Sequence, residues 1–179
     1  MKRLTFACVA LALVSISCGS SAPSTTAATS VTAVKPTFTA TLLPSNEVPP
    51  VSNGEKVGSG SVTIVFNTTT DAAGNVTSAT ANFSVSLFGF PAGTAINVAH
   101  IHQGASTCVC PVVVSTTLAA SDQLSTNTAG ALNFAKNNIP ISDPAVAQAI
   151  MNNPSGYYFN VHSTLNPGGV ARGVLARTQ

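Results

Sequence analysis

Val98-Ala99-His100-Ile101-His102-Gln103-Gly104 sets apolar and imidazole side chains in alternation. Successive side chains on an extended strand point to opposite faces, so His100 and His102 face the same way while Ile101 turns into a core. That pattern predicts a half-buried strand over Ala95 to Gln103, with two rings within reach of one ligand. The chain has three histidines. The third, His162, ends a second strand-like run, Tyr157-Tyr158-Phe159-Asn160-Val161-His162. If the fold brings the two runs together, they make a three-imidazole cluster.

The flanking sequence reads as more short strands. Phe38, Ala40 and Leu42 alternate with Thr39 and Thr41, until the prolines of Pro44-Ser45-Asn46-Glu47-Val48-Pro49-Pro50 stop the run because proline cannot donate to a ladder. Val62, Ile64 and Phe66 share a face within Ser61 to Phe66, and Phe83, Val85 and Leu87 share one within Val76 to Leu87. Turn residues Asp71-Ala72-Ala73-Gly74-Asn75 lie between them, so the two runs predict a hairpin. Val112 to Leu118 and Ala131 to Ala135 are further candidate strands. Gly156 to Ser163 and Gly169 to Arg177 form the last pair, joined at Asn166-Pro167-Gly168-Gly169. One helix is expected where Asp143 can cap and Pro144 can open it, with Val146, Ala149 and Ile150 at i, i+3 and i+4; it stops at Asn152-Asn153-Pro154. About eight short strands divided by turns predict an all-β fold, an antiparallel β-sandwich of Greek-key, immunoglobulin-like or superoxide-dismutase-like type with one short helix.

Composition narrows the function. Charged residues make up only 7% of the chain, against roughly 25% in ordinary soluble domains. Solubility therefore rests on Ser, Thr, Asn and Gly. Beyond residue 18, Lys35, Lys56, Lys136, Arg172 and Arg177 balance Glu47, Glu55, Asp71, Asp122 and Asp143. No basic patch favours nucleic acid.

The first residues read as a leader. Lys2 and Arg3 precede an apolar run from Leu4 to Ile16, which suits a signal peptide and is too short to span a bilayer. Val14-Ser15-Ile16-Ser17-Cys18-Gly19-Ser20 resembles the bacterial lipobox, which implies lipidation of Cys18; Ser15 stands where that motif usually has an aliphatic residue. Ordinary signal cleavage near Ser21-Ala22 is the alternative. The expected organisation is a signal peptide over residues 1–18, a Ser/Thr/Ala-rich tether over 19–36 and one domain over 37–179. The expected location is the cell envelope, through a lipid anchor in the membrane, or else the secreted fraction.

A set of landmarks in consistent order resembles the CHRD domain. They are Phe38-Thr39-Ala40-Thr41-Leu42, Asn46-Glu47-Val48-Pro49-Pro50, Gly58-Ser59-Gly60, Ala99-His100-Ile101-His102-Gln103-Gly104, Pro111-Val112-Val113, Tyr157 to His162, and Gly168-Gly169-Val170-Ala171-Arg172-Gly173. That domain, named after chordin, also occurs singly in bacterial exported proteins. The chain departs from the family at Ser106-Thr107-Cys108-Val109-Cys110, where members usually carry a Gly/Asn-rich turn. In animals the domain belongs to an extracellular growth-factor antagonist. For bacterial members the resemblance implies no established activity, and it leaves open a protein or extracellular-matrix partner.

Three groups of residues are candidates for chemistry. His100, His102 and His162 could hold zinc or copper, since imidazole ligates both and three rings leave a position open. The competing reading is a polar network that fixes strand register, with Glu47, Asn160 and Arg172 as its members. Cys108 and Cys110 could pair in a disulfide or offer thiolates to a soft metal. Residues two apart on an extended strand approach the upper limit of Cα separation, about 6.8 Å, so a disulfide there needs a bend. Catalytic readings fare poorly: no paired acids, Gly-x-Ser-x-Gly elbow or phosphate-cradling loop is present. Copper/zinc superoxide dismutase also carries His-x-His on a β-sandwich, but its dinuclear site needs more histidines than this chain has. Two functions follow as expectations. One is an exported binding or structural module without catalytic activity; the other is a small copper- or zinc-binding protein or oxidoreductase.

Overall fold

A computed structural model describes residues 35–105 and 107–179. The expected signal peptide, Cys18 and almost all of the tether lie outside the described residues. Among the described residues, ten strands form two antiparallel sheets. In chain order they are β1 (Thr37–Leu42), β2 (Ser59–Thr70), β3 (Val76–Phe88), β4 (Ala95–Gln103), β5 (Val112–Ser115), β6 (Leu124–Ser125), β7 (Leu132–Pro140), β8 (Tyr157–Ser163), β9 (Ala171–Val174) and β10 (Ala176–Arg177). One sheet runs β10-β1-β2-β3-β7; the other runs β5-β4-β8-β9, with β6 also beside β4. The expected all-β sandwich with one helix is the observed fold.

The core lies between the sheets and follows the period-2 pattern. Phe38, Leu42, Ile64, Phe66, Phe83, Val85 and Leu87 from the first sheet meet Ala99, Ile101, Phe159 and Val161 from the second, all essentially inaccessible. Phe83 and Phe159 stack across the gap with ring centroids 5.8 Å apart. Apart from Ala99, each of these side chains contributes about 1.5–3 kcal/mol through burial. The helix α1 (Pro144–Asn152) is capped by the Asp143 carboxylate, which accepts from the Ala145 N–H at 2.9 Å. It buries Ala147 and Ile150, while Val146 and Ala149 are only partly covered.

Strand β2 runs beyond the expected Ser61 to Phe66 at both ends, β6 is not among the expected strands, and three further boundaries differ from the sequence expectation as follows. The run Val112 to Leu118 stops at Ser115. There Thr116 Oγ1 donates to the Ala99 carbonyl at 2.9 Å and Thr117 takes a left-handed conformation with φ 60°. The run Gly169 to Arg177 divides into β9 and β10, which belong to different sheets, with Leu175 buried at the crossing. The candidate at Ala131 to Ala135 is the start of the longer β7, which continues to Pro140.

Strand β8 is buried along its whole length. Its apolar face (Tyr157, Phe159, Val161) meets the core. Its other face carries Tyr158, Asn160 and His162 and is also closed off from solvent. The second sheet therefore supports a second buried layer, polar rather than apolar.

Candidate metal centre

The polar layer is built from cross-strand neighbours. In the antiparallel register of β4 and β8, His102 lies opposite Tyr158, His100 opposite Asn160, and Val98 opposite His162. Directly paired residues project to the same face with Cβ atoms about 5 Å apart. All three imidazoles therefore come together on the side of the sheet turned away from the core. One ligand nitrogen from each ring lies within 4.8 Å of the others. His102 and His162 are buried and His100 is half-buried, so His100 is the most solvent-exposed member of the cluster.

The hydrogen bonds fix which nitrogens are free. His102 Nδ1 lies 2.7 Å from the Cys110 carbonyl oxygen, and His162 Nδ1 lies 2.8 Å from that of Pro167. A carbonyl can only accept, so each Nδ1 carries the proton and each Nε2 presents a lone pair. Both Nε2 atoms, and Nδ1 of His100, are buried with no hydrogen-bond partner among the described residues. An unpaired buried acceptor costs about 1–3 kcal/mol, and two of them beside a third unpartnered ring nitrogen is a strong departure from normal satisfaction.

The electrostatics keep the rings neutral. Burial, then repulsion from His162 and His102, holds His100 down to about 4. His102 is lowered mainly by burial, with His162 and Arg172 adding to it against the Cys110 hydrogen bond. Burial also lowers His162, helped by Arg172 and opposed by the Pro167 bond. Neutral imidazole is the form that ligates a metal.

A stack flanks the cluster. The Tyr158 ring lies on His102 at 4.7 Å, with planes 2° apart. The Arg172 guanidinium covers the opposite face of the phenol at 4.7 Å. Arg172 Nε and Nη2 donate to Glu47 Oε2 at 2.7 and 2.6 Å, with both side chains almost wholly buried. Burial lifts Glu47 to about 7, against the pull of Arg172. Of the three expected network members, Glu47 and Arg172 form this ion pair. Asn160 sits between His100 and Arg172 in register, but its Oδ1 has no partner among the described residues.

Cys108 and Cys110 form a disulfide with their Cα atoms 5.4 Å apart. The required bend lies at Thr107-Cys108, after Gly104 at φ +135°. A Cβ at position 104 would collide with Sγ of Cys110 and press on that of Cys108, so the sulfurs rest on the backbone just beyond His102.

Sequence reasoning did not single out Tyr158, although it lies two and four residues before Asn160 and His162 and so shares their face. Nor did it find a buried polar knot in which Glu55 accepts from Ser163 and Asn166. The carbonyls of Cys110 and Pro167 carry no side-chain signal that could have marked them.

The CHRD domain model matches residues 38–175. The chain belongs to the CHRD domain family. No curated protein matches it significantly.

Proposed function

We propose that this CHRD domain is a metal-binding module that holds one zinc or copper ion on His100, His102 and His162. The observation that carries the reading is the pair of buried, unpartnered Nε2 atoms on His102 and His162, each on a ring pinned through Nδ1 to a backbone carbonyl. Metal-ligating histidines characteristically donate their second N–H in this way, which fixes the tautomer and raises basicity. Nitrogens sharing a zinc at 2.0–2.1 Å in a tetrahedral site stand about 3.4 Å apart. The widest separation here is 4.8 Å, so the rings draw in by on the order of 1 Å when loaded. With three protein ligands, a water or substrate would take the open position, on the half-buried His100 side.

The leader and the Ser/Thr/Ala-rich tether support an exported protein anchored to the cell envelope through Cys18. There the domain would sequester or present metal outside the cytoplasm. The test is metal analysis of the full chain purified from its own compartment, followed by zinc and copper titration. One equivalent is expected, lost on His102→Ala or His162→Ala. Absence of binding to both metals would sink the reading.

A second reading, an interaction module whose histidines are structural, is favoured by one observation. A cleft of about 220 Å³ opens between the Glu47 to Ser52 and Leu165 to Gly169 loops, with Val48 and Leu165 exposed at its walls. Such a cleft is large enough for a partner's side chain, and metal-free protein that still captures a partner would support this reading.

A further inference from the structure

We infer that Cys108–Cys110 is a thiol–disulfide exchange site whose state sets how tightly the histidine cluster holds its metal, a step that rests on the metal-binding reading. The link is a chain of direct bonds from the disulfide loop into the cluster. The Cys110 carbonyl accepts from His102 Nδ1 at 2.7 Å. The Cys110 N–H donates to Tyr158 Oη at 3.2 Å, and Tyr158 Oη donates to the Cys108 carbonyl at 3.1 Å. That carbonyl also accepts from Arg172 Nη1 at 2.8 Å. Tyr158 and Arg172 are the two upper layers of the stack on His102. The backbone that fixes the His102 tautomer, and the backbone that clamps the stack above it, thus belong to the two residues joined by the sulfur bridge.

The disulfide closes a small covalent ring with one residue between its ends, and that ring limits how the carbonyls of Cys108 and Cys110 can turn. Outer-shell partners of this kind are worth 10–100-fold in metal affinity. The loop is also reachable. Val109, at its tip, is 81% exposed, and both cysteines are half-buried.

The reactant is a low-molecular-weight thiol. Its thiolate bonds to one cysteine sulfur; the S–S bond breaks and its electron pair leaves on the other sulfur, which takes a proton. A second thiol attacks the reagent's own sulfur in the mixed disulfide and releases the first cysteine, which is also protonated. Two electrons and two protons pass from two thiols to the cysteine pair, and the reagent leaves as its disulfide. The Cys110 carbonyl is then free to swing away from His102, and the cluster loosens.

The experiment compares zinc affinity, by chelator competition, for oxidised full-length protein and for protein reduced with dithiothreitol and desalted without air. The reduced form should bind zinc 10–100-fold more weakly, and reoxidation should restore the affinity. A Cys108→Ser/Cys110→Ser variant should match the reduced form and ignore the reductant. In metal-free protein, imidazole nitrogen NMR should show His102 as a single tautomer only when oxidised, a change that loss of metal ligands alone would not produce. Equal or tighter zinc binding after reduction overturns this inference while leaving the metal-binding reading intact. No zinc binding by either form overturns both.

Discussion

The Tyr158 phenol lies flat on the His102 imidazole, 4.7 Å centre to centre and 2° from parallel. Its hydroxyl bonds both ends of the Cys-x-Cys loop. Tyr158→Phe keeps the stack but takes the acceptor from the half-buried Cys110 N–H, which costs about 1 kcal/mol. Urea denaturation should show a destabilisation of that order with an unchanged slope.

Metal loading should stabilise the domain by mass action. At free zinc one hundred times the dissociation constant the gain is about 2.7 kcal/mol. Thermal melts with and without zinc should separate accordingly for the wild type and coincide for His162→Gln. A shift that survives in His162→Gln would place the ion elsewhere.

The pH dependence has two opposing contributions. A histidine lowered in the fold, as His100 is to about 4, stabilises above its unfolded value of about 6.5 and loses that contribution as pH falls towards 4. Glu47, raised to about 7, works the other way: its contribution is full below about 4.5 and is lost as pH rises through 7. Between pH 4.5 and 6.5 Glu47 offsets part of the histidine contribution, to which His102 and His162, also lowered, add in the same direction as His100. Glu47→Gln removes one side, so its stability should climb more steeply with pH across that window, as read by denaturant midpoints at half-unit steps.

Glu47→Ala should be the costlier change in absolute terms. It takes the carboxylate from a guanidinium that is only 1% exposed. Breaking a buried pair from one side costs about 3–5 kcal/mol. Chemical denaturation measures it, and a loss below about 1 kcal/mol would show that water reaches Arg172.

The proposed anchoring would run through Cys18. Cys18→Ser should move the protein from the membrane to the soluble fraction of the envelope. Unchanged fractionation would point to ordinary cleavage near Ser21-Ala22.

How much could be read in advance depended on whether the signal was periodic. Phe83, Val85 and Leu87, or His100 and His102, repeat every second residue, and strand geometry converts that spacing directly into a shared face. Joining His162 to them took only the assumption that its strand lies beside β4, which the register provides. The end of β5 was not legible, because it depends on a Thr116 hydroxyl reaching a carbonyl of another strand. Likewise the break between β9 and β10 is a change of sheet inside one apparently continuous run. In the site itself, the unprotonated ring nitrogens of His102 and His162 are set by backbone carbonyls whose positions follow from loop closure, and residue type says nothing about that.

The pairing of β1 with both β2 and β10 has a mechanical consequence. Chain entering the domain at Thr37 runs straight into a strand laddered on both sides, including the backbone bond from the Thr178 N–H to the Thr37 carbonyl at 2.8 Å. Tension arriving along that strand is spread over two ladders loaded in shear, so many bonds must yield together rather than peel one at a time. A domain held by its leading end is thereby gripped at a strand paired on both edges, in the sheet that does not carry the histidines.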